Sequence, residues 1–212
     1  MRVIFVVTCV LLCASGAWAG NIVLDNWDIE TNSSGEYGAI DDWGPNGSWA
    51  QHAHHSKPNN GTLGVNFGYY SAQSTETVGQ LTAEIITANT TYDFWSWAMG
   101  GGNDAGTIVY EIGYADVEDD LTSFVELATN DIAVGGTWGE TAGVSYSTGS
   151  TGDEIGKQLI VRLGPGTVTE PPTPDDIWFD EFQANKTPIP EPGAMALFGF
   201  GLLSLLAARR KK

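Results

Sequence analysis

Several segments of this chain alternate apolar and polar residues with a period of two, the pattern of half-buried strands. In Thr107–Ala115, Ile108, Tyr110, Ile112 and Tyr114 share one face, while Glu111 and Gly113 share the other. In Thr91–Met99, Tyr92, Phe94, Ser96 and Ala98 face one way, and Asp93, Trp95, Trp97 and Met99 face the other. In Gln158–Leu163, Leu159, Val161 and Leu163 oppose Ile160 and Arg162. Ile22–Asp28, Thr62–Phe67, Gln80–Ile86, Phe124–Leu127, Ala142–Tyr146 and Ile177–Ala184 are further candidate strands. About nine short strands with turn-rich spacers predict an all-β domain, an antiparallel β-sandwich or jelly roll. Strands at both ends of such a domain can pair with each other and close it.

Two stretches break the alternation. Val3–Ala14 is apolar, follows Arg2, and precedes the small-x-small sequence Ala17-Trp18-Ala19. This predicts an N-terminal signal peptide over 1–19, cut by signal peptidase before Gly20. Cys9 and Cys13 both lie inside it, so the mature chain is expected to hold no thiol and no disulfide. Ala194–Ala208 is apolar all round and predicts a short C-terminal hydrophobic helix with no face for water. Its fifteen residues make roughly 22 Å of helix, short of the ~30 Å hydrocarbon thickness. Arg209 and Arg210 can snorkel to extend it, while Gly199 and Gly201 weaken it. Membrane contact through this tail is therefore expected to be transient. The cluster Arg209–Lys212 belongs on the cytoplasmic side, which leaves the preceding chain outside.

The tripeptide Pro190-Glu191-Pro192, the apolar span and the basic end together resemble the PEP-CTERM sorting signal of Gram-negative bacteria. The resemblance covers residues 187–212. It implies recognition by an exosortase, a membrane protease-transpeptidase that cuts near the tripeptide. Delivery to the cell surface, outer membrane or extracellular matrix follows from it. One β-sandwich domain, residues 20–186, is left between the two addresses, a size that suits a single core.

Charge sharpens this picture. The chain carries 26 acidic residues against 9 Lys and Arg, for a net charge of −17. Between the addresses the cations are Lys57, Lys157, Arg162 and Lys186, against every acid but Glu191. Such a surface repels nucleic acid and anionic lipid, which excludes a nucleic-acid function. It favours solubility, divalent cations and neutral polar partners.

Asn26-Trp27-Asp28-Ile29-Glu30-Thr31 resembles the opening N-G-S-F-E motif of galactose-binding-like jelly-roll domains. Thr90–Phe94 is similar to their central T-Y-x-L strand, and Phe179–Phe182 to their closing D-D/N-V strand. The group includes carbohydrate-binding modules and secreted bacterial domains. Trp27 stands where the family usually carries a small Gly, so the local turn is expected to differ. The resemblance implies a structural calcium where the first and last strands meet, with Glu30 and Asp180 as its carboxylates. Calcium takes six to eight hard oxygens, so loop carbonyls would complete the set. The alternative is that both carboxylates cap strand ends. The family pattern also puts Tyr92 and Phe94 inside, which turns Trp95 and Trp97 outward as a platform about 7 Å long. Sugar rings stack on such platforms, and exposed aromatic patches mark binding sites. The competing reading has the Asp41–Pro58 loop, with Trp43 and Trp49, covering the pair.

Other candidates carry less. Gln51-His52-Ala53-His54-His55 reads as a surface loop, since two or three imidazoles without a fixed scaffold make a poor zinc site. Asp116–Asp120 lacks EF-hand spacing and reads as a solvated loop. No nucleophile motif or phosphate loop is present, and catalytic residues are assigned to none. The sequence points to an exported, non-catalytic structural or adhesive protein that binds exopolysaccharide through Trp95 and Trp97. The alternative is a secreted glycoside-acting or cyclase-like enzyme on the same scaffold.

Overall fold

The computed structural model describes residues 19–29, 42–44, 50–54, 66–70, 77–100, 106–166 and 177–190. Eleven strands run through them: β1 Gly20–Asn21, β2 Ala50–His54, β3 Asn66–Tyr70, β4 Val78–Ile85, β5 Thr90–Gly100, β6 Gly106–Ala115, β7 Phe124–Val134, β8 Gly139–Glu140, β9 Val144–Ser147, β10 Gln158–Pro165 and β11 Ile177–Pro188. One 3-10 turn, Leu121–Ser123, is the sole helical element among the described residues.

The strands form two antiparallel sheets. A seven-stranded sheet runs β2-β3-β11-β5-β8, with β1 also on β11 and β9 also on β5. A four-stranded sheet runs β4-β10-β6-β7. The first and last strands pair, Gly20 opposite Lys186 and Asn21 opposite Asn185, and close the domain as expected from its ends.

The core lies between the sheets, where the period-two pattern places it. Tyr92, Phe94 and Ala98 of β5 face Ile108, Tyr110 and Ile112 of β6, all buried. Phe94 meets Tyr110 edge-on with centroids 5.7 Å apart. Leu159, Val161 and Leu163 of β10 and Phe179, Phe182 and Ala184 of β11 complete the same cluster. Each buried side chain of this size contributes roughly 1.5–3 kcal/mol. Where β5 needs a polar residue inside, it is matched: Ser96 Oγ and the Tyr110 hydroxyl lie 2.7 Å apart. Thr141 Oγ1 donates to the same hydroxyl at 2.9 Å. At the edge, Lys186 of β11 bridges to Glu84 of β4 at 2.7 Å and ties one sheet to the other.

Several expectations need correction. Ile22–Asp28 is not a continuous strand. Ile22 N–H still bonds Ala184 O at 2.8 Å, but Asp25–Asp28 is a turn. Asn26 and Ile29 take φ of 46° and 55°, and that left-handed backbone breaks strand geometry. Residues 50–54, read as loop, form the edge strand β2 paired to β3. Trp43 does not cover Trp95 and Trp97. It is buried in the main core, stacked on Phe182 at 4.0 Å, with its Nε1 donating to Asp25 O at 3.1 Å. The hydrophobic effect pulls the largest side chain into the sandwich in preference to a surface lid. Ala17, Glu30, Trp49, His55, Glu191, Pro192, Arg209 and Arg210 lie outside the described residues, as do the Val3–Ala14 and Ala194–Ala208 runs. Ala19 and Pro190 are described, and both are exposed.

Candidate functional site

Pairing register decides which residues share the outer face of the seven-stranded sheet, because directly opposed residues project to the same side. Trp95 stands opposite Gln183, Trp97 opposite Asp180, and Met99 opposite Trp178. Phe94 opposite Ala184 and Ala98 opposite Phe179 are the inward pairs between them. The outer face thus carries Trp95, Trp97 and Trp178, each partly exposed, together with Met99 and Asp180, which are buried on the same side. β8 adds Glu140 opposite Trp97. Trp95 Nε1 donates to Glu140 Oε1 at 2.8 Å, which orients the partly exposed indole.

An irregularity in β11 shapes the rest. The register shifts between Asp180 and Gln183, and Glu181 takes φ 50°. The extra residue is a β-bulge. It sends both Phe179 and Phe182 inward, although they are three apart, and turns Glu181 toward the N-terminal segment. Asp180 Oδ1 accepts from Glu181 N–H at 2.8 Å and holds the bulge. Phe182 N–H donates to Trp27 O at 2.8 Å, so the Asp25–Asp28 turn docks here.

That docking makes a groove of about 520 Å³ lined by the Asn21–Leu24 stretch, Trp27 and Glu181–Asn185. Trp27 is 46 % exposed on its rim. Burial, then the nearby charges of Asp28 and Glu140, push the Glu181 carboxyl above the usual glutamate range. Gln183, the register partner of Trp95, is among the groove's lining residues, and Trp95 itself is not.

Of the residues singled out from sequence, Trp95 and Trp97 therefore sit together on the outer face. Asp180 is buried at the bulge. No group of three or more His, Cys, Asp or Glu side chains able to hold a metal ion occurs among the described residues. Asp180 alone falls short of the six to eight oxygens calcium requires, and Glu30 lies outside the described residues. Sequence reasoning missed Glu140, Glu181 and the use of Trp27. The only available signal was Trp27 in place of a small residue, which marks an unusual turn without saying what it meets.

Residues 188–211 match the PEP-CTERM protein-sorting motif. The motif implies export, exosortase processing and a surface or extracellular destination. No curated protein matches the chain. Among solved structures, a proposed sugar-binding protein from Bacteroides thetaiotaomicron is similar with a TM-score of 0.50 and 8 % identity, over 78 % of this chain and 99 % of that one. An arabinose-bound GH51 α-L-arabinofuranosidase is similar with a TM-score of 0.53 and 15 % identity, over 81 % of this chain. The match spans only 27 % of that enzyme. TmCBM61, solved in complex with β-1,4-galactotriose, gives a TM-score of 0.48 and 13 % identity, over 78 % of this chain and 98 % of that one. At these identities the likeness is one of fold alone.

Proposed function

We propose that this protein is a secreted, non-catalytic surface or matrix component of a Gram-negative bacterium that binds extracellular polysaccharide on the outer face of its seven-stranded sheet. Its signal peptide, residues 1–19, directs export, and exosortase acts at Pro190-Glu191-Pro192. The single observation behind the binding assignment is that Trp95, Trp97 and Trp178 share one partly exposed, non-core face. Three partly exposed indoles on one face of the sheet offer apolar surface. Glu140, Gln183 and Asp93 supply hydrogen-bonding groups beside it. That combination suits the C–H faces and hydroxyls of a sugar chain. The similar fold of a proposed sugar-binding protein supports the same reading.

Calcium remains part of this reading as a structural ion, with Asp180 and Glu30 as its carboxylates at the junction of the chain ends. The rival reading, an enzyme on the same scaffold, would draw on Glu181, the acid in the groove with a raised pKa. A glycan array probed with the mature protein tests binding, and reducing-end release from the bound glycan tests turnover. Binding without release is expected. Binding that survives Trp95→Ala unchanged would remove the assigned face, and release of reducing ends would replace the binding role with an enzymatic one.

A further inference from the structure

We infer that the glycan surface continues from Trp95 into the groove beneath the N-terminal segment, with Trp27 as its second aromatic contact, and that this extension selects uncharged polysaccharide over polymers bearing carboxylates. The inference rests on the sugar-binding reading of the Trp95 face and adds a subsite and a substrate class to it.

The subsite is built from the groove itself. Its volume of about 520 Å³ lies within the ~300–1,000 Å³ usual for ligand pockets. Trp27 stands out on its rim while its backbone is pinned to Phe182, so the indole is presented without the turn being loose. An exposed tryptophan over a groove, with Val23 78 % exposed alongside, leaves apolar area that water solvates poorly. Asn21, Gln183 and Asn185 are the amide side chains among its lining residues. Each side-chain amide donates and accepts, which matches sugar hydroxyls that do both. Gln183 lines the groove and is the register partner of Trp95, so one chain of sugars can pass from that indole into the groove.

The class follows from charge. A carboxylate-bearing sugar needs donors and a cation, and the described cations are all committed elsewhere. Lys157 pairs with Asp116 at 3.3 Å, Arg162 with Glu111 at 3.2 Å, and Lys186 with Glu84 at 2.7 Å. None of the three lines the groove. The charged residue that does line it is Glu181, which feels both Asp28 and Glu140. An incoming carboxylate would meet like charges and no compensating partner.

Affinity electrophoresis of the mature protein at low salt with a chelator tests this directly. The gels contain paired polymers of one backbone: hydroxyethyl cellulose against carboxymethyl cellulose, and dextran against carboxymethyl dextran. Retardation by a neutral member, with at least about fivefold weaker retardation by its carboxymethylated partner, is expected. Glu181→Gln should narrow that gap, and so should raised salt, which shortens the screening length. Trp27→Ala should weaken retardation by the neutral polymer several-fold at an unchanged melting temperature. Equal or tighter binding of the carboxymethylated partner overturns the charge selection, as does binding of it that appears when calcium replaces the chelator. Unchanged neutral binding in Trp27→Ala overturns the subsite while leaving the Trp95 face standing. Retardation by none of the polymers, together with a blank glycan array, defeats the sugar-binding reading itself.

Discussion

Trp95 Nε1 donates to Glu140 Oε1 at 2.8 Å, joining the central strand β5 to the two-residue strand β8 across 45 positions of sequence. The bond does two things at once. It satisfies the one polar atom of the indole, and it stops the ring from rotating flat against the sheet. Removing the ring by Trp95→Ala should therefore cost at least about tenfold in glycan affinity, the loss typical of a central aromatic contact. Glu140→Gln keeps an acceptor for Nε1 and should cost far less. Titration of both variants by isothermal calorimetry, with melting curves as controls, separates the two effects.

Tyr110 and Ser96 link the two sheets through the core, and burial pushes the Tyr110 hydroxyl up to about 12. Tyr110→Phe would strip a partner from both Ser96 and Thr141 in a dry interior. A destabilisation of about 1–3 kcal/mol is expected, read from denaturant midpoints.

Glu181 yields a pH-dependent outcome. Its folded carboxyl lies above the ordinary glutamate value, so the folded state holds the proton more tightly than the unfolded chain does. Stability therefore falls as pH rises from the ordinary value through the raised one. Glu181→Gln should melt higher than the wild type at neutral pH, and the advantage should vanish below the ordinary glutamate range. A gain that persisted in acid would show that neither the burial of the charged carboxylate nor its repulsion from Asp28 and Glu140 is the source.

Gly143 sits where β9 begins, with φ 58°, and a Cβ there would lie 2.1 Å from Phe94 O and 2.5 Å from Trp95 Cβ. Gly143→Ala combines left-handed strain with a clash against backbone, so a loss of about 2 kcal/mol or more is expected. The change should also weaken sugar binding, because the strand it displaces is the one carrying Trp95.

Calcium, if bound at Asp180, contributes stability in proportion to its occupancy. The melting temperature of the mature protein should drop on adding a chelator and return with excess calcium. An unchanged melting curve in chelator ends the calcium assignment.

Much of this was legible in the alternation of residues. A strand period of two puts Tyr92, Phe94 and Ala98 on one face and Trp95 and Trp97 on the other, and it was the resemblance to galactose-binding-like domains that put the first set inside. The groove was not legible. It depends on a one-residue bulge at Glu181, and a bulge reverses the alternation that a sequence pattern relies on. Phe179 and Phe182 both point inward at a spacing that ordinary strand geometry forbids. Trp43 was misread for a different reason: a tryptophan in a Gly-rich loop carries no periodicity, and only packing against Phe182 reveals its place.

By itself, the sequence determined the address of this protein, its charge, its fold class and which residues of β5 share a face. Those properties are local or compositional, and they survive any arrangement of the strands. Tertiary structure alone decided that Glu140 and Gln183 flank Trp95, and that Glu181 and Trp27 line the groove that Gln183 also lines. They come from β8, β11 and an N-terminal turn, far apart in the chain, and only register and a bulge bring them together. Which sugars such a surface admits is a property of that gathering, since charge and shape act through space.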